Sequence, residues 1–328
     1  MSTMLTEPIS GPAAWVGADF EQDDSWIHHL SDSDIAEIDA ALAQAKAAGK
    51  VFPRITAADL PLPGLAKRLA GFAEELENGR GFLLLRGLPV ERMSEKDIRL
   101  VYYAIGLHMG EPVGQNPRGD LLGTVAAVGD PAKKETRVFE TNLYLPYHTD
   151  PSDVVGLLCL RKAKRGGLSS LVSVASVYNR ILADHPGLLG LFYKQWYYAH
   201  LGRNEPKLSA LFNYHDGKLL CRYLRQYIEL GHEVMGLPLS AVEREALDTF
   251  DAIMHDPALR VDMMLEPGDL QFANNYMVLH SRTAFEDHVD EARRRKMLRL
   301  WLKMDNAREP GREFPGRNGF PVPAEVFA

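Results

Sequence analysis

The chain has 328 residues, of which 46% are hydrophobic, 9% aromatic and 25% charged, an ordinary globular composition that allows a substantial core. Its net charge of -7 leaves no global positive field to attract nucleic acid or an anionic membrane surface. We therefore expect a small-molecule partner, without nucleic acid or membrane, and the two cysteines exclude a disulfide framework.

No export or membrane-insertion signal is evident along the chain. Residues 1–11 lack a basic stretch followed by an apolar one, and no apolar run approaches the roughly 18 residues needed to span a bilayer. Cys159 lies inside an apolar run, where a thiol behaves as a small hydrophobe. These features predict a cytoplasmic protein. A homo-oligomer is compatible with them, and the sequence leaves the oligomeric state open.

The first part of the chain is predicted to be mainly helical. Residues 31–49 combine a capping serine, early acids, an alanine-rich interior and a final glycine, which together favour a helix. Further helices are expected over residues 65–77 and 94–105. Between them, residues 81–87 form an apolar run bounded by glycines, which predicts a short buried strand.

The pattern changes after Pro146. Apolar or alternating runs separated by Gly, Pro and Asp predict strands at residues 154–160, 171–177, 261–265, 270–273 and 297–304. Two helices are expected to interrupt them, at residues 177–184 and 240–255. We find no internal repeat or linker, so residues 1–60 are interpreted as an N-terminal extension whose helix packs on the core, and residues 61–328 as one structural unit. The fold class is mainly β with helical embellishments (α+β), a sandwich or barrel.

The segment Leu-Pro-Tyr-His-Thr-Asp, residues 145–150, contains a histidine and an aspartate at positions i and i+2. In an extended strand such residues share a face, so His148 and Asp150 could bind one metal ion. With 11 histidines and 44 acidic residues, such spacing is expected by chance about once or twice. A second pair, His288 and Asp290, lies in a highly charged stretch typical of a solvated loop.

A third candidate ligand follows a glycine turn and an apolar segment, at His280. Two histidines and one carboxylate on one face of an octahedral ion leave adjacent positions open for a 2-oxo acid and for O2. This donor set favours Fe(II), although catalytic zinc also uses two histidines with one carboxylate. Without His280, a hydrogen-bonded loop pair at His148 and Asp150 would be the better interpretation.

Basic residues alternate with apolar ones near the C-terminal end. The strand period places Arg295, Met297, Arg299 and Trp301 on one face and Leu298, Leu300 and Leu302 on the other. Arginines on a buried face require anions. Arg295 could hold the distal carboxylate of 2-oxoglutarate in a bidentate fork, and Arg299 an acidic group of the primary substrate. A basic run is more often a solvated face, but the interleaved leucines argue for a core strand.

These residues resemble the taurine dioxygenase-like (TauD/TfdA) family, which shares the clavaminate synthase fold. The resemblance covers roughly residues 81–303. It rests on the order of several motifs: Gly-Phe-Leu-Leu-Leu-Arg-Gly-Leu-Pro at 81–89, His-Thr-Asp at 148–150, Gly-Gly-Leu-Ser at 166–169, Pro-Gly-Asp-Leu at 267–270, the 275–280 segment and the arginines after it.

The resemblance implies a double-stranded β-helix (jelly roll) with an N-terminal helical layer, holding Fe(II) at His148, Asp150 and His280. It further implies that Ser169 and Arg295 bind 2-oxoglutarate. The family commonly has threonine where Ser169 stands, Ser170 is a rival for that role, and the triple arginine at 293–295 leaves the register of the clamp open.

The function implied is an Fe(II)- and 2-oxoglutarate-dependent dioxygenase that uses O2, releases succinate and CO2, and oxidises an unactivated C–H bond of a small acidic molecule, an amino acid being one candidate. Hydroxylation, desaturation and oxidative cyclisation share the same metal ligands. Besides Arg299, the substrate residues suggested by proximity in sequence are Asn142, Tyr144 and Asn275, which could equally satisfy buried backbone groups. The alternative is a non-catalytic ligand-binding β-barrel with structural histidines.

Overall fold

Two β-sheets packed face to face, with helices on both outer sides, form the framework of the protein. The structure is a computed structural model that describes residues 4–129, 138–199, 205–311, 314, 319–323 and 326. The α-helices in these residues are α1 (Asp32–Ala47), α2 (Pro63–Asn78), α3 (Glu95–Leu107), α4 (Val174–Asp184), α5 (Leu189–Tyr193), α6 (Arg225–Val234) and α7 (Ala241–Met254).

The strands of the described residues are mostly short. They are β1 (Ile27–His29), β2 (Phe82–Arg86), β3 (Glu111–Pro112), β4 (Leu122–Val125), β5 (Leu145–His148), β6 (Val154–Arg161), β7 (Arg165–Gly166), β8 (Ser169–Ser173), β9 (Trp196–Tyr198), β10 (Lys207–Ser209), β11 (Phe212–His215), β12 (Lys218–Cys221), β13 (Arg260–Met263), β14 (Leu270–Asn274), β15 (Val278–Arg282), β16 (Phe285–Glu286) and β17 (Lys296–Lys303).

The larger sheet has the order β1-β2-β14-β6-β17-β3, with β4 also paired to β17. The smaller sheet has the order β13-β8-β15-β5, and all of its pairs are antiparallel. Neighbours in both sheets come from distant parts of the chain, as in the pairing of β14 with β2 and of β15 with β5. This topology brings residues from the middle and the end of the sequence to one place.

Three apolar layers hold the sheets and helices together. Alternate residues of the larger sheet, such as Leu298 and Leu300, pack against α1, α2 and α3. The opposite face of that sheet, with Met297 and Trp301, packs against the inner face of the smaller sheet. The outer face of the smaller sheet, including Leu279, packs against α4 to α7. Full burial of each such side chain stabilises the fold by about 1.5–3 kcal/mol.

Most of the expected elements are confirmed, including the two faces of β17. Helix α1 begins where predicted, with the Ser31 hydroxyl accepting a hydrogen bond from the Asp34 amide at 3.2 Å. The strand expected over residues 171–177 is wrong in its second half. Ser173 ends β8 and caps α4, because its hydroxyl accepts a hydrogen bond from the Ser176 amide at 3.1 Å.

Several elements between α4 and α7 were not predicted, namely α5, α6 and the short strands β9 to β12. They form much of the helical layer outside the smaller sheet. Across the part of the chain that the structure describes, none of the helices combines the length and apolar character required to cross a membrane.

Candidate active site

Two histidines from adjacent strands and one aspartate converge at the inner face of the smaller sheet. His148 ends β5 and lies opposite His280 of β15 in the strand register. The Nε2 atom of His148 lies 4.0 Å from Oδ1 of Asp150, and the Nε2 atom of His280 lies 3.8 Å from Oδ2. An ion bound at about 2.1 Å brings pairs of ligand atoms to roughly 3–4 Å. The three side chains therefore lie close enough together to bind a common metal ion.

The position of Asp150 does not arise from strand alternation, because β5 ends at His148. Asp150 lies in the loop that follows, and its amide donates a hydrogen bond to Oδ1 of Asn275 at 2.9 Å. The Nδ2 group of Asn275 donates to the carbonyl of Ser152 at 3.0 Å. Asn275 thus holds the turn that directs the carboxylate towards the histidines.

The protonation states of these groups suit a metal ion. Burial lowers the pKa of His148, and burial together with the charge of His148 lowers the pKa of His280 to about 3. Burial alone would raise the pKa of Asp150, but Arg299 and the two histidines bring it below its ordinary value. Neutral imidazoles and an ionised carboxylate are the ligand forms. Nδ1 of His148 contacts the Pro146 carbonyl at 2.8 Å, which directs the free lone pair of Nε2 to the centre.

A small inner cavity of about 60 Å³ adjoins this centre. Its walls come largely from strands of both sheets, and Ser169 of β8 and Gln271 of β14 lie among them. The Ser169 hydroxyl donates to Oε1 of Gln271 at 2.8 Å. The neighbouring Ser170 is absent from the described lining and donates instead to Asp262 at 2.5 Å. Of the two serines, Ser169 is the one that faces the cavity.

Two buried arginines, Arg282 and Arg295, also line the inner cavity, and each is only 5% exposed. Burial lowers the pKa of both to about 10, so both remain cationic at neutral pH. Nη1 of Arg295 and both Nε and Nη1 of Arg282 lack a hydrogen-bond partner within the described residues. A buried charged donor left unsatisfied costs more than about 1–3 kcal/mol. The cavity is therefore suited to an anion.

Arg282 was not among the site residues predicted from the sequence. Its position two residues after His280 in β15 places both side chains on the same face of the strand, so the strand period could have identified it. Gln271 was missed as well, and no spacing or composition signal distinguishes it from an ordinary polar residue of a strand.

A larger outer cavity of about 330 Å³ meets the inner one at the metal centre, since both are lined by His148, Asp150 and Arg299. The remaining described lining residues lie mainly in loops, in α6 and at the end of β17. They are Val138, Phe139, Leu145, Thr149, Pro151, Tyr198, Arg222, Tyr223, Leu224, Gln226, Tyr227, Leu230, Trp301 and Phe320.

Arg299 is held in place between the two cavities. Its Nε donates to Oε1 of Gln115 at 2.8 Å, and its guanidinium lies 4.8 Å from the Phe139 ring centroid and 4.6 Å from that of Trp301. Nη1 lies 3.7 Å from Oδ2 of Asp150, which also accepts a hydrogen bond from Nε1 of Trp301 at 3.0 Å. Gln115 and Trp301 position the charged groups of the site, and sequence analysis assigned neither of them that role.

Three of the four suggested substrate residues lie elsewhere. Asn142 is exposed, and its carbonyl accepts a hydrogen bond from Phe285. The Tyr144 hydroxyl contacts Nε2 of His255 at 2.8 Å. Neither they nor Asn275 belong to the described lining of either cavity, whereas Arg299 belongs to both.

Comparison with known proteins gives the same assignment as the geometry. Residues 46–301 match the family model "Taurine catabolism dioxygenase TauD, TfdA family". The chain is 35% identical over 325 residues to FR-33289 synthase of Streptomyces rubellomurinus (strain ATCC 31215), with 96% of this chain and 95% of that protein covered.

Solved structures of similar fold include two oxygenases. An asparagine oxygenase in complex with Fe(II), 2S,3S-3-hydroxyasparagine and succinate superposes with a TM-score of 0.68 at 18% identity, covering 85% of this chain and 93% of that one. The non-heme iron oxygenase OrfP in complex with Fe and alpha-ketoglutaric acid gives a TM-score of 0.64 at 15% identity, covering 87% and 99%. The double-stranded β-helix fold is thereby confirmed.

A match over most of the chain, a relative above 30% identity and a His-Asp-His cluster that could hold a metal ion lead to one conclusion and exclude a non-catalytic binding module. The protein belongs to the TauD/TfdA family and is a non-haem iron dioxygenase that depends on Fe(II), 2-oxoglutarate and O2.

Proposed function

We propose that His148, Asp150 and His280 hold the Fe(II) ion and that the inner cavity binds 2-oxoglutarate. The support is the spacing of the three ligand atoms, all within 4.8 Å of one another, beside a cavity lined by the buried guanidiniums of Arg282, Arg295 and Arg299. Bound there, the iron supplies the oxidising chemistry that, with O2, converts 2-oxoglutarate to succinate and CO2 and removes hydrogen from an unactivated C–H bond.

Arg295 is proposed to bind the distal carboxylate of 2-oxoglutarate, with Ser169 contributing its hydroxyl. The unsatisfied Nη1 of Arg295 is the observation that supports this role. Charge-assisted hydrogen bonds from a guanidinium to a carboxylate are roughly twice as strong as neutral ones. Ser169 lies in the same wall and is held by Gln271, which orients its hydroxyl.

Arg282 is proposed as a second guanidinium for the same dianion. Its Nη2 already donates to the carbonyls of Thr141, at 3.0 Å, and Leu143, so the unsatisfied Nε and Nη1 form its free edge. The Phe285 ring, 4.8 Å from the Arg282 guanidinium and 5.2 Å from that of Arg295, stacks on both and separates them from bulk water. The distal carboxylate would then lie between these two guanidiniums.

The outer cavity is proposed to hold the primary substrate, a small molecule whose acidic group binds Arg299. Arg299 lies beside the metal centre with its orientation set by Gln115, so an acid bound there would place a nearby C–H bond close to the iron. Phe139 and Trp301 cover Arg299 and exclude water from it.

An amino acid is the substrate class we favour for this site. The asparagine oxygenase was solved with 3-hydroxyasparagine, and OrfP with (3S)-hydroxy-L-Arg. Both are amino acids with an acidic α-carboxylate of the kind proposed for Arg299. The reaction on this chain would be hydroxylation, desaturation or oxidative cyclisation, since each begins with the same hydrogen removal.

Location and assembly form a smaller part of the proposal. A reducing cytoplasm is supported by the free, buried thiols of Cys159 and Cys221. The net charge of -7 supports a small-molecule partner without nucleic acid or membrane. We place residues 1–60 as an extension of a single structural unit, because Ile38 and Leu42 of α1 share one apolar cluster with β17. Analytical ultracentrifugation would determine whether the chain forms a homo-oligomer.

The experiment is an assay of succinate formation from 2-oxoglutarate under Fe(II) and ascorbate, across a panel of amino acids and other small acids. We expect one group of related acids to raise succinate formation at least about tenfold over the substrate-free rate. Anaerobic addition of 2-oxoglutarate to the Fe(II) protein should also produce a visible absorption band. A colourless protein that binds no stoichiometric metal would overturn the proposal.

A further inference from the structure

Three consecutive arginines precede β17, and they point in different directions. Arg293 ends a short 3-10 helix and is exposed. Arg294 donates from Nε to the His288 carbonyl at 3.3 Å and from Nη1 to Oε1 of Glu291 at 3.0 Å, both in the preceding loop. Arg295 is 5% exposed and belongs to the described lining of the inner cavity, whereas the other two do not. Some feature of the fold therefore directs one of three like residues inwards.

The backbone of Arg295 lies outside the regular ladder of β17. The strand begins one residue later, at Lys296, and its pairing with β6 shifts in register between Lys296 and Met297. The Arg295 amide donates instead to Oδ1 of Asp287 at 2.7 Å. A side-chain acceptor from the preceding loop thus takes the place of a strand partner at the irregular end of β17.

The carboxylate of Asp287 contacts the main chain of Arg295 and leaves one of its guanidinium donors free. Its second oxygen, Oδ2, is buried and has no hydrogen-bond partner within the described residues, and the same holds for Nη1 of Arg295. Unsatisfied buried charged groups destabilise a fold, so a bond between these two atoms would favour stability. The observed arrangement keeps Nη1 available to an anion instead.

Other contacts orient the Arg295 side chain once its backbone is placed. Nη2 donates to Sδ of Met297 at 3.1 Å, and the Phe285 ring lies 5.2 Å from the guanidinium. On a further side lies Gly167, where a Cβ atom would be 3.4 Å from Nε of Arg295. The Gly167 amide donates to the Ala284 carbonyl at 3.2 Å, which fixes this wall next to Phe285. A shift of the Arg295 backbone would therefore move Nη1 relative to the cavity.

We propose that Asp287 is a positioning residue for 2-oxoglutarate: by holding the Arg295 amide, it selects this arginine from the three and directs its free Nη1 to the distal carboxylate. The inference rests on the proposed function, which assigns that carboxylate to Arg295. A guanidinium held in place loses less conformational entropy when it binds an anion. The hydrogen bond carries the role, because the negative charge of Asp287 would by itself oppose an incoming carboxylate.

The test measures the affinity of the anaerobic Fe(II) protein for 2-oxoglutarate by calorimetry, in variants that separate geometry from charge. Asp287→Ala removes the acceptor, and affinity should fall about tenfold, as for one hydrogen bond to a charged group. Asp287→Asn keeps an oxygen acceptor without the charge and should stay within about threefold of the native protein. Asp287→Glu keeps the charge but displaces the carboxylate by one methylene, so it should lose affinity as Asp287→Ala does.

A double-variant cycle shows whether Asp287 acts through Arg295. In the Arg295→Gln background, Asp287→Ala should change the affinity by less than about twofold, because the guanidinium that it positions is absent. 2-Oxopentanoate, which has a methyl group in place of the distal carboxylate, should bind equally to the native protein and to Asp287→Ala. Asp290→Ala is the matched control and should retain the native affinity, since Asp290 accepts a similar bond in the same loop, from the Ala292 amide at 3.0 Å.

Three results would overturn the inference: native affinity in Asp287→Ala, an equal loss in Asp287→Asn and Asp287→Ala, or a further tenfold loss when Asp287→Ala is added to Arg295→Gln. Iron content is measured for each variant. If Asp287→Ala binds no stoichiometric iron, the contrast between Asp287→Asn and Asp287→Glu decides, and tighter binding by Asp287→Glu contradicts the inference. Native affinity in Arg295→Gln would instead contradict the proposed function, since Arg295 would then not bind the distal carboxylate.

Discussion

The inner and outer cavities meet at one metal centre but are built in different ways. Most of the inner wall consists of strand residues from both sheets, such as Ser169, Gln271 and Arg282, whose positions are fixed by ladders of backbone hydrogen bonds. Much of the outer wall consists of loop residues and one face of α6, including Tyr223 and Tyr227. Strands therefore form the proposed site of 2-oxoglutarate, which every turnover needs. Loops shape the proposed substrate space.

The two cavities also differ in volume and in the residues that line them. The inner cavity combines two unsatisfied guanidiniums with a small volume, which suits one defined dianion. The outer cavity is about 330 Å³ against about 60 Å³, with tyrosines and leucines between its two arginines. Changes to the inner wall should alter binding of 2-oxoglutarate whatever the substrate, whereas changes to the outer wall should alter only the choice of substrate.

The largest effect is expected where the cavities meet. His280→Ala removes one of three metal ligands, so Fe(II) affinity and turnover should each fall by at least about a hundredfold, since loss of mere supporting contacts already costs 10- to 100-fold. Iron content and succinate formation measure the two losses. His215→Ala, whose side chain is 42% exposed, is the control and should retain both. Stoichiometric iron in His280→Ala would remove this histidine from the metal site.

The inner wall is tested next by Arg282→Gln and Arg295→Gln. Each variant should weaken 2-oxoglutarate binding by roughly 10- to 100-fold, because hydrogen bonds to charged groups contribute about 1.5–3 kcal/mol. Anaerobic titration of the Fe(II) protein measures the affinity. Iron content should be retained, which shows that the metal centre is intact. If Arg282→Gln binds 2-oxoglutarate with the affinity of the native protein, the role of Arg282 is limited to its hydrogen bonds to the carbonyls of Thr141 and Leu143.

A smaller effect is expected from the residue that holds the Asp150 loop. Asn275→Ala removes the acceptor for the Asp150 amide, so Fe(II) affinity should fall about tenfold, as for other supporting contacts of metal ligands. Once the variant is saturated with Fe(II), its affinity for 2-oxoglutarate should match that of the native protein. Asn306→Ala is a matched control, because Asn306 makes its side-chain bond to Ala73 instead. An unchanged iron affinity in Asn275→Ala would contradict this positioning role.

The smallest effect should be confined to the outer cavity. Gln115→Ala removes the acceptor that orients Arg299, so KM for the primary substrate should rise roughly 2- to 10-fold, which corresponds to one hydrogen bond. The dissociation constant of 2-oxoglutarate should stay constant, as Gln115 is absent from the described inner lining. Gln115→Glu keeps an oxygen acceptor but loses the amide that donates to the carbonyls of Leu121 at 3.1 Å and Arg299 at 2.7 Å, so it should not restore the native affinity. Equal losses for both ligands would mean that Gln115 supports the whole site.

The difference between the strand-built inner wall and the loop-built outer wall also explains which site residues could be predicted from the sequence. His148 and His280 were predictable because they lie in motifs with strand-like surroundings, and Arg295 because it precedes a strand of strict period. The two-residue strand period could also have identified Arg282 from His280. The clusters of the core also followed from alternation, as with Leu298 and Leu300 on the face opposite Trp301.

The outer cavity was not predictable from the sequence alone. Arg222 follows a short strand that no pattern indicated, and its position depends on the bonds between Thr149 and Tyr223 that only the folded chain reveals. Asn142 and Tyr144 were chosen for their closeness in sequence to His148. Yet Asn142 is exposed and the Tyr144 hydroxyl contacts His255, so closeness in sequence did not bring them into the described lining of either cavity.

The most direct test of the central claim is a crystal structure of the protein with Mn(II) in place of iron and with 2-oxoglutarate, grown without oxygen. The account predicts one metal ion bound by Nε2 of His148, a carboxylate oxygen of Asp150 and Nε2 of His280, with the distal carboxylate of 2-oxoglutarate on Arg295 and Arg282. A metal bound elsewhere, or 2-oxoglutarate outside the inner cavity, would contradict it.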